Sequence, residues 1–250
     1  ANAVQHYGIK PEGGISGRYS HGDNKLDELA ADVLLNALSF SQKVGLVVLD
    51  KHEKPYTYDS EGGPPRKYAV VSDALDGSTN VGCNISVGTT FGIFRSTGGK
   101  QATINDVLQP GSKLCCAGYV LYGSATVMML SKGSGVQSFV MDPDYGEFVM
   151  TSKDVKIPDP AMQIYSINSG NSELWDEPTR EFIRWTKVQP KPYLARYIGS
   201  MVSDVHRTMI CGGIFMYPAD KRVPQGKLRL VCECAPLAFL VEQAGGMATN

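Results

Sequence analysis

Apolar residues recur at helical spacing at Leu26, Leu29, Ala30, Val33, Leu34, Ala37 and Leu38, which predicts an amphipathic helix over about 24–40. The apolar run Gly45-Leu46-Val47-Val48-Leu49 predicts a strand at about 44–49. Residues 50–66 are polar and carry Pro55, Gly62, Gly63, Pro64 and Pro65, the composition of a long, mobile loop. A short strand is predicted from Tyr68 to Val71, ending at Ser72-Asp73. Further strands are expected at about 84–95, 114–122, 125–131 and 136–142. Asp142-Pro143-Asp144-Tyr145-Gly146 reads as a turn, because proline presets φ and glycine admits a positive one. Near residue 160 the texture changes. A strand at Ile164–Ile167 is followed by helices over Glu177–Thr186 and about 200–210, a strand over Lys227–Cys232, and a helix over Pro236–Ala244 closed by Gly245-Gly246. Residues 1–22 are glycine-rich and polar and read as a tail or loop. Mixed strands and helices in two textures predict an α/β chain of two halves, 1–160 and 161–250.

Composition narrows the class. Of 250 residues, 42% are hydrophobic and 20% charged, an ordinary globular mixture. The formal net charge of -1 argues against bulk attraction to nucleic acid or an acidic membrane. No apolar run reaches the roughly 18–20 residues of a spanning helix, and no signal pattern opens the chain, so a cytoplasmic protein is expected. Six dispersed cysteines, mostly in apolar runs, read as free thiols of a reducing compartment. Four scattered histidines and the lack of Cys-x-x-Cys argue against a zinc site.

The segment with most chemistry is Val71-Ser72-Asp73-Ala74-Leu75-Asp76-Gly77-Ser78-Thr79-Asn80. A strand runs into two aspartates three apart, followed at once by Gly, Ser and Thr. At such a junction both carboxylates and the Leu75 carbonyl can converge on a hard cation such as Mg²⁺, with substrate phosphate and water completing the shell. Gly77 admits close backbone approach, and Ser78 and Thr79 can hold a phosphate. Alone, the segment fits equally an Asx turn with Asp76 capping a helix. Dinucleotide and P-loop patterns fail: Gly133-Ser134-Gly135 lacks the third glycine, and Gly98-Gly99-Lys100 lacks the required spacing.

The acidic turn resembles the metal signature of the Mg²⁺-dependent, lithium-sensitive sugar and inositol phosphatases. Several further blocks resemble fructose-1,6-bisphosphatase. They are Leu108–Gly111, Ala117–Thr126, Ala195–Val202 with Asp204–Arg207, Gly212–Phe215, Lys227–Leu230 and Glu233-Cys234. The resemblance runs from about residue 20 to the end. It implies a layered α/β/α/β/α sandwich with mixed sheets, a homotetramer, and hydrolysis of the 1-phosphate of fructose 1,6-bisphosphate in gluconeogenesis. It implies Mg²⁺, with Mn²⁺ or Zn²⁺ as substitutes. Asp50, Asp73, the Leu75 carbonyl, Asp76 and Glu233 match metal ligands, and Asp27 matches an acid that helps activate the attacking water. Gly77, Ser78 and Thr79 match the phosphate-holding turn. Asn168, Tyr197, Tyr217 and Lys227, with Gly199, Ser200 and Met201, match contacts to the sugar and its 6-phosphate. Arg196 matches an arginine reaching into a neighbouring subunit's site, and Arg229 matches a residue near the metals and the 1-phosphate.

The chain departs from that family in four places. Asp50-Lys51 stands where two adjacent glutamates help hold the metals, and a protonated lysine cannot ligate a cation. Asn171 replaces a tyrosine at the 6-phosphate, and Gly82 replaces an aspartate after the acidic turn. The chain is also expected to be short at both ends, so that Lys67, Tyr68 and Arg95 match only part of an AMP-inhibitor site, which leaves AMP inhibition weakly supported. The departure at Lys51 motivates an alternative reading, a catalytically weak paralogue that binds sugar phosphates in a regulatory role. A third reading is a relative acting on inositol phosphates or a nucleotide 3′-phosphate.

Overall fold

The structure is a computed structural model, and it describes residues 4, 25–60 and 62–249. The predicted tail at 1–22 lies almost wholly outside the described residues. Eleven strands and four α-helices are described: β1 (Val44–Leu49), β2 (Tyr56–Thr57), β3 (Tyr68–Asp76), β4 (Val87–Arg95), β5 (Cys116–Tyr122), β6 (Thr126–Ser131), β7 (Gln137–Asp142), β8 (Glu147–Ser152), β9 (Ile164–Ser166), β10 (Leu194–Ala195) and β11 (Ile214–Phe215). The helices are α1 (Lys25–Phe40), α2 (Glu177–Lys187), α3 (Met201–Cys211) and α4 (Ala235–Gln243).

The large sheet has the order β2-β1-β3-β4-β5-β6-β7-β8. Only β1 and β3 pair in parallel within it; the other neighbours are antiparallel, so the sheet is mixed. Both faces of β1 and β3 are covered, which is why those strands read as unbroken apolar runs rather than alternating ones. On one face Val47, Leu49, Val70 and Ile93 meet Ala31, Leu34, Leu35 and Leu38 of α1. On the other, Leu46, Ala69, Val71, Tyr119 and Met129 meet Val202, Val205 and Met209 of α3 and Leu237 and Leu240 of α4. The period of two along each strand sends alternate residues to the two layers.

The small sheet, β10-β9-β11, is parallel throughout. Tyr165 and Ile167 turn to one side, against Phe182 and Ile183 of α2, while Ser166 turns to the other and donates to Asp204 of α3 at 2.6 Å. The layers are therefore α1, large sheet, α3 with α4, small sheet, α2: the α/β/α/β/α sandwich that the resemblance implied. Asp176 caps α2 through the Thr179 amide at 3.0 Å, with Pro178 in the first turn.

Two expectations are corrected. Lys227–Cys232 is not a strand. Residues 227–229 lead into a π-helical turn, Leu230–Cys234, in which the Cys234 amide closes on the Arg229 carbonyl at 3.0 Å. The alternation of Lys227, Leu228, Arg229 and Leu230 imitates a strand, but no neighbouring strand pairs with it among the described residues. β3, in turn, extends beyond Val71 to Asp76, because its pairing with β4 continues through the acidic residues. The loop at 50–66 holds the short strand β2, and β8 was not anticipated.

Candidate active site

Two aspartates three apart on a regular strand point to opposite faces. β3 avoids this with a bulge. Asp73 pairs with Thr90 and Asp76 with Gly88, so three steps on β3 oppose two on β4. The extra residue brings both carboxylates to one side. The Leu75 amide donates to Asp73 Oδ1 at 3.0 Å and holds the bulge. Gly77 follows at φ 77°, a conformation that favours glycine, and opens the 3₁₀ turn Ser78–Cys83.

The π-helical turn supplies the third carboxylate. Its wide winding turns Glu233 inward, where it accepts the Arg229 amide. Asp73, Asp76 and Glu233 are all buried, and each offers an oxygen within 4.8 Å of the others. Asp76 Oδ2 also accepts the Val202 amide at 3.2 Å, in the first turn of α3. The bulge, the π-turn and the α3 N-terminus thus converge. Burial, with the Asp76 charge beside it, pushes the Asp73 carboxyl up to about 7. Burial raises Asp76 and Glu233 too, against the lowering effect of their backbone hydrogen bonds.

Asp50, directly after β1, and Asp27, in the first turn of α1, stand outside this trio. Each faces a cation. Arg229 Nε lies in ion-pair contact with Asp50 Oδ1, but not at a hydrogen-bonding angle, so that buried oxygen has no hydrogen-bond donor. Lys51 Nζ lies 2.7 Å from Asp27 Oδ1 and 3.4 Å from Ser78 Oγ. Burial pulls the Lys51 pKa down, but the Asp27 hydrogen bond and the charges of Asp27, Asp73 and Asp50 more than offset it, leaving it above the usual lysine value. The donor set fits a hard divalent cation: three clustered carboxylates, with a fourth whose buried oxygen lacks a donor. The Leu75 side chain packs in the core with Leu26 and Val87.

A cavity of about 430 Å³ is lined by Asn168, Asn171, Tyr217, Lys227, Arg222 and Asp220 among others. Lys227 Nζ stands over the Tyr217 ring at 6.0 Å. The segment from Lys227 through Arg229 to Glu233 ties this cavity to the carboxylates. Arg222 and Asp220, paired at 2.9 Å, line the cavity but were not singled out from sequence; nothing in their Pro-rich loop marks them.

The 195–201 block is organised by Asp204, a fully buried carboxylate that sequence reading treated only as part of a motif. It accepts the Ile198 and Gly199 amides at 3.1–3.2 Å and ion-pairs Arg207 at 3.2 Å. Gly199 in turn accepts Asn80 Nδ2 at 3.0 Å, linking this loop to the acidic turn. Ser200 and Met201 are buried at the start of α3, whereas Arg196 and Tyr197 are exposed. Partial burial of its hydroxyl, with the nearby Tyr217 and Asp204, raises the Tyr197 pKa. Among the residues expected to bind substrate, Asn168, Tyr217 and Lys227 line the cavity, and Arg229 faces Asp50 on the carboxylate side.

A five-layer α/β fold with an oxygen-ligand trio beside a cationic cavity places the chain in the class of divalent-cation-dependent phosphatases. Comparison with known proteins makes the assignment specific. The family description "Fructose-1-6-bisphosphatase, N-terminal domain" matches residues 2–153 and "Fructose-1-6-bisphosphatase, C-terminal domain" matches residues 158–250. The chain is 44% identical to the cytosolic fructose-1,6-bisphosphatase of Solanum tuberosum, over 98% of this chain and 73% of that protein. It is 44% identical to that of Arabidopsis thaliana, over 99% and 73%. The crystal structure of Leishmania major fructose-1,6-bisphosphatase in holo form superposes with a TM-score of 0.87 at 36% identity, covering 98% of this chain and 76% of that one. The apo form gives 0.85 at 35%, covering 98% and 75%. The chain belongs to the fructose-1,6-bisphosphatase family.

Proposed function

We propose that the protein hydrolyses the 1-phosphate of fructose 1,6-bisphosphate, yielding fructose 6-phosphate and phosphate, as a cytosolic step of gluconeogenesis. The observation that carries this reading is the continuity of one segment, Lys227 to Glu233, which lines the cationic cavity at one end and completes the carboxylate trio at the other. Lys227, Tyr217 and Asn168 bind the 6-phosphate and sugar, fixing the remote end so that the 1-phosphate lies at the carboxylates. Asp73, Asp76 and Glu233, with Asp50 beside them, would hold Mg²⁺. When bound, the cation neutralises charge on the transferring phosphoryl group and lowers the pKa of a bound water. Ser78 and Thr79 face the phosphoryl oxygens, and Asp27 orients the attacking water.

Arg196 completes a neighbouring subunit's site in a homotetramer. In support, Leu194, Tyr197 and Ile198 around it are each more than 40% exposed, an apolar surface suited to a partner subunit. No observation favours the non-catalytic reading over hydrolysis, since the carboxylate trio is complete and the named relatives are phosphatases.

A substrate panel tests the proposal. Fructose 1,6-bisphosphate is expected to be hydrolysed at least tenfold better than inositol 1-phosphate or adenosine 3′,5′-bisphosphate, through the energy of a second phosphate contact. Equal rates across the panel would overturn the assignment of the cavity.

A further inference from the structure

The turn after β1 holds a residue in a costly conformation. Lys51 has φ 64°, in the left-handed region that a non-glycine residue enters only when its surroundings demand it. That backbone aims the side chain across the mouth of the carboxylate site. Its ammonium bridges Asp27 of α1 at 2.7 Å and Ser78 of the 3₁₀ turn at 3.4 Å, and it lies in the field of Asp50 and Asp73. The side chain is 42% exposed, so it is not sealed into the core.

The charges around the site explain what this does. Among the described residues, five carboxylates face it: Asp27, Asp50, Asp73, Asp76 and Glu233. Two side-chain cations face them: Lys51 on Asp27 and Arg229 on Asp50. Among the described residues, Asp73, Asp76 and Glu233 form the clustered trio, and no side-chain cation is paired to them. An acidic residue in place of Lys51 would change the local charge by two units and leave Asp27 unpaired, a second corner able to hold a cation.

Resting on the phosphatase reading above, we propose that Lys51 is a built-in cation. It takes the place of one divalent ion on the Asp27–Ser78 side of the site and binds the substrate's phosphoryl oxygens there. Lys51 is then a catalytic residue that touches substrate, and the protein needs one ion fewer than a site with a carboxylate at this position. A fixed ammonium is a point charge well suited to phosphate. It also spares the protein an ion that must be recruited from solution.

Mn²⁺ and inorganic phosphate are the probes. Equilibrium binding of Mn²⁺, read by the loss of its free electron-paramagnetic-resonance signal, is expected to give a single ion per chain for the parent and for Lys51→Met. Lys51→Glu is expected to take up one more. Inorganic phosphate, titrated against the Mn²⁺-loaded protein, is expected to bind roughly tenfold more weakly to Lys51→Met than to the parent. Circular dichroism confirms that each variant is folded, as a half-exposed side chain predicts. Equal Mn²⁺ uptake by the parent and Lys51→Glu, or unchanged phosphate affinity in Lys51→Met, overturns the proposal. These binding readouts do not depend on turnover. A parent that fails to hydrolyse fructose 1,6-bisphosphate while showing the predicted Mn²⁺ and phosphate behaviour overturns the phosphatase reading and leaves the role of Lys51 standing.

Discussion

At the scale of single residues, the centre is built from acids that burial makes reluctant to ionise. Asp73 is protonated far more readily in the folded chain, with a pKa of about 7, than in the unfolded one near 3.8. Between these values the folded chain keeps a proton that the unfolded chain has lost. The stability this group contributes therefore falls as pH rises from about 4 to about 7 and stays lost above that. Asp73→Asn removes this dependence. The metal-free variant is expected to melt several degrees above the parent at pH 8 and close to it at pH 4, read by thermal unfolding with a chelator present. A parent whose relative stability rises over that range would contradict the burial argument. Added Mg²⁺ should stabilise the parent at pH 8 and leave Asp73→Asn nearly unmoved, because a cation that binds only the folded carboxylates stabilises by mass action. Lys227 lines the cavity at the far end of the site, where the proposal gives it the 6-phosphate. Lys227→Ala is expected to raise KM for fructose 1,6-bisphosphate by about tenfold or more, the worth of a charge-assisted phosphate contact. An unchanged KM in steady-state kinetics would remove Lys227 from the substrate site.

At the scale of elements, geometry comes from irregularities rather than from regular strands and helices. The bulge in β3 aligns Asp73 with Asp76, and the π-turn after Arg229 turns Glu233 toward them. α3 approaches the same point because Gly88 has no side chain. A Cβ there would sit 2.8 Å from the Val120 carbonyl and 2.8 Å from Val202 Cγ1. Gly88→Ala must push α3 away and pull the Val202 amide from Asp76. It is expected to cost about 1–3 kcal/mol in denaturant unfolding and to weaken Mg²⁺ binding as well. Loss of stability with Mg²⁺ affinity intact would show that the α3 amide does not position Asp76.

The same irregularities mark the limit of what the chain discloses before it is folded. α1 and β1 were legible because one shows a clean helical stripe and the other an unbroken apolar run. The acids Asp73 and Asp76 were legible as a pair by their spacing and the Gly-Ser-Thr that follows. Their alignment was not, since a bulge depends on the register of the neighbouring strand. Glu233 was found by resemblance, but its π-turn was read as a strand from the alternation of Lys227 to Leu230. β8 escaped because Glu147–Met150 is exposed on both faces and shows no periodicity. The contact between Lys51 and Asp27 spans 24 residues and depends on a left-handed backbone, so neither residue announces the other.

At the scale of the molecule, the five layers place the site where the large sheet, α3 and the segment leading into α4 meet. Each contributes one part: carboxylates from β3, the Val202 amide from α3, and the carboxylate and cations from residues 227–233. The exposed Leu194, Tyr197 and Ile198 surround Arg196 on the outer surface. If Arg196 completes a neighbouring subunit's site as proposed, Ile198→Asp lowers the molar mass seen by sedimentation and raises KM together. A mass unchanged by Ile198→Asp would place the subunit contact elsewhere. The most direct test of the central claim is phosphate release from fructose 1,6-bisphosphate across a Mg²⁺ titration, with the parent and Asp76→Asn measured side by side. Turnover that rises from baseline with Mg²⁺ in the parent, and falls by about a hundredfold or more in a folded Asp76→Asn, is the predicted result. Full turnover in chelator, or in Asp76→Asn, would contradict it.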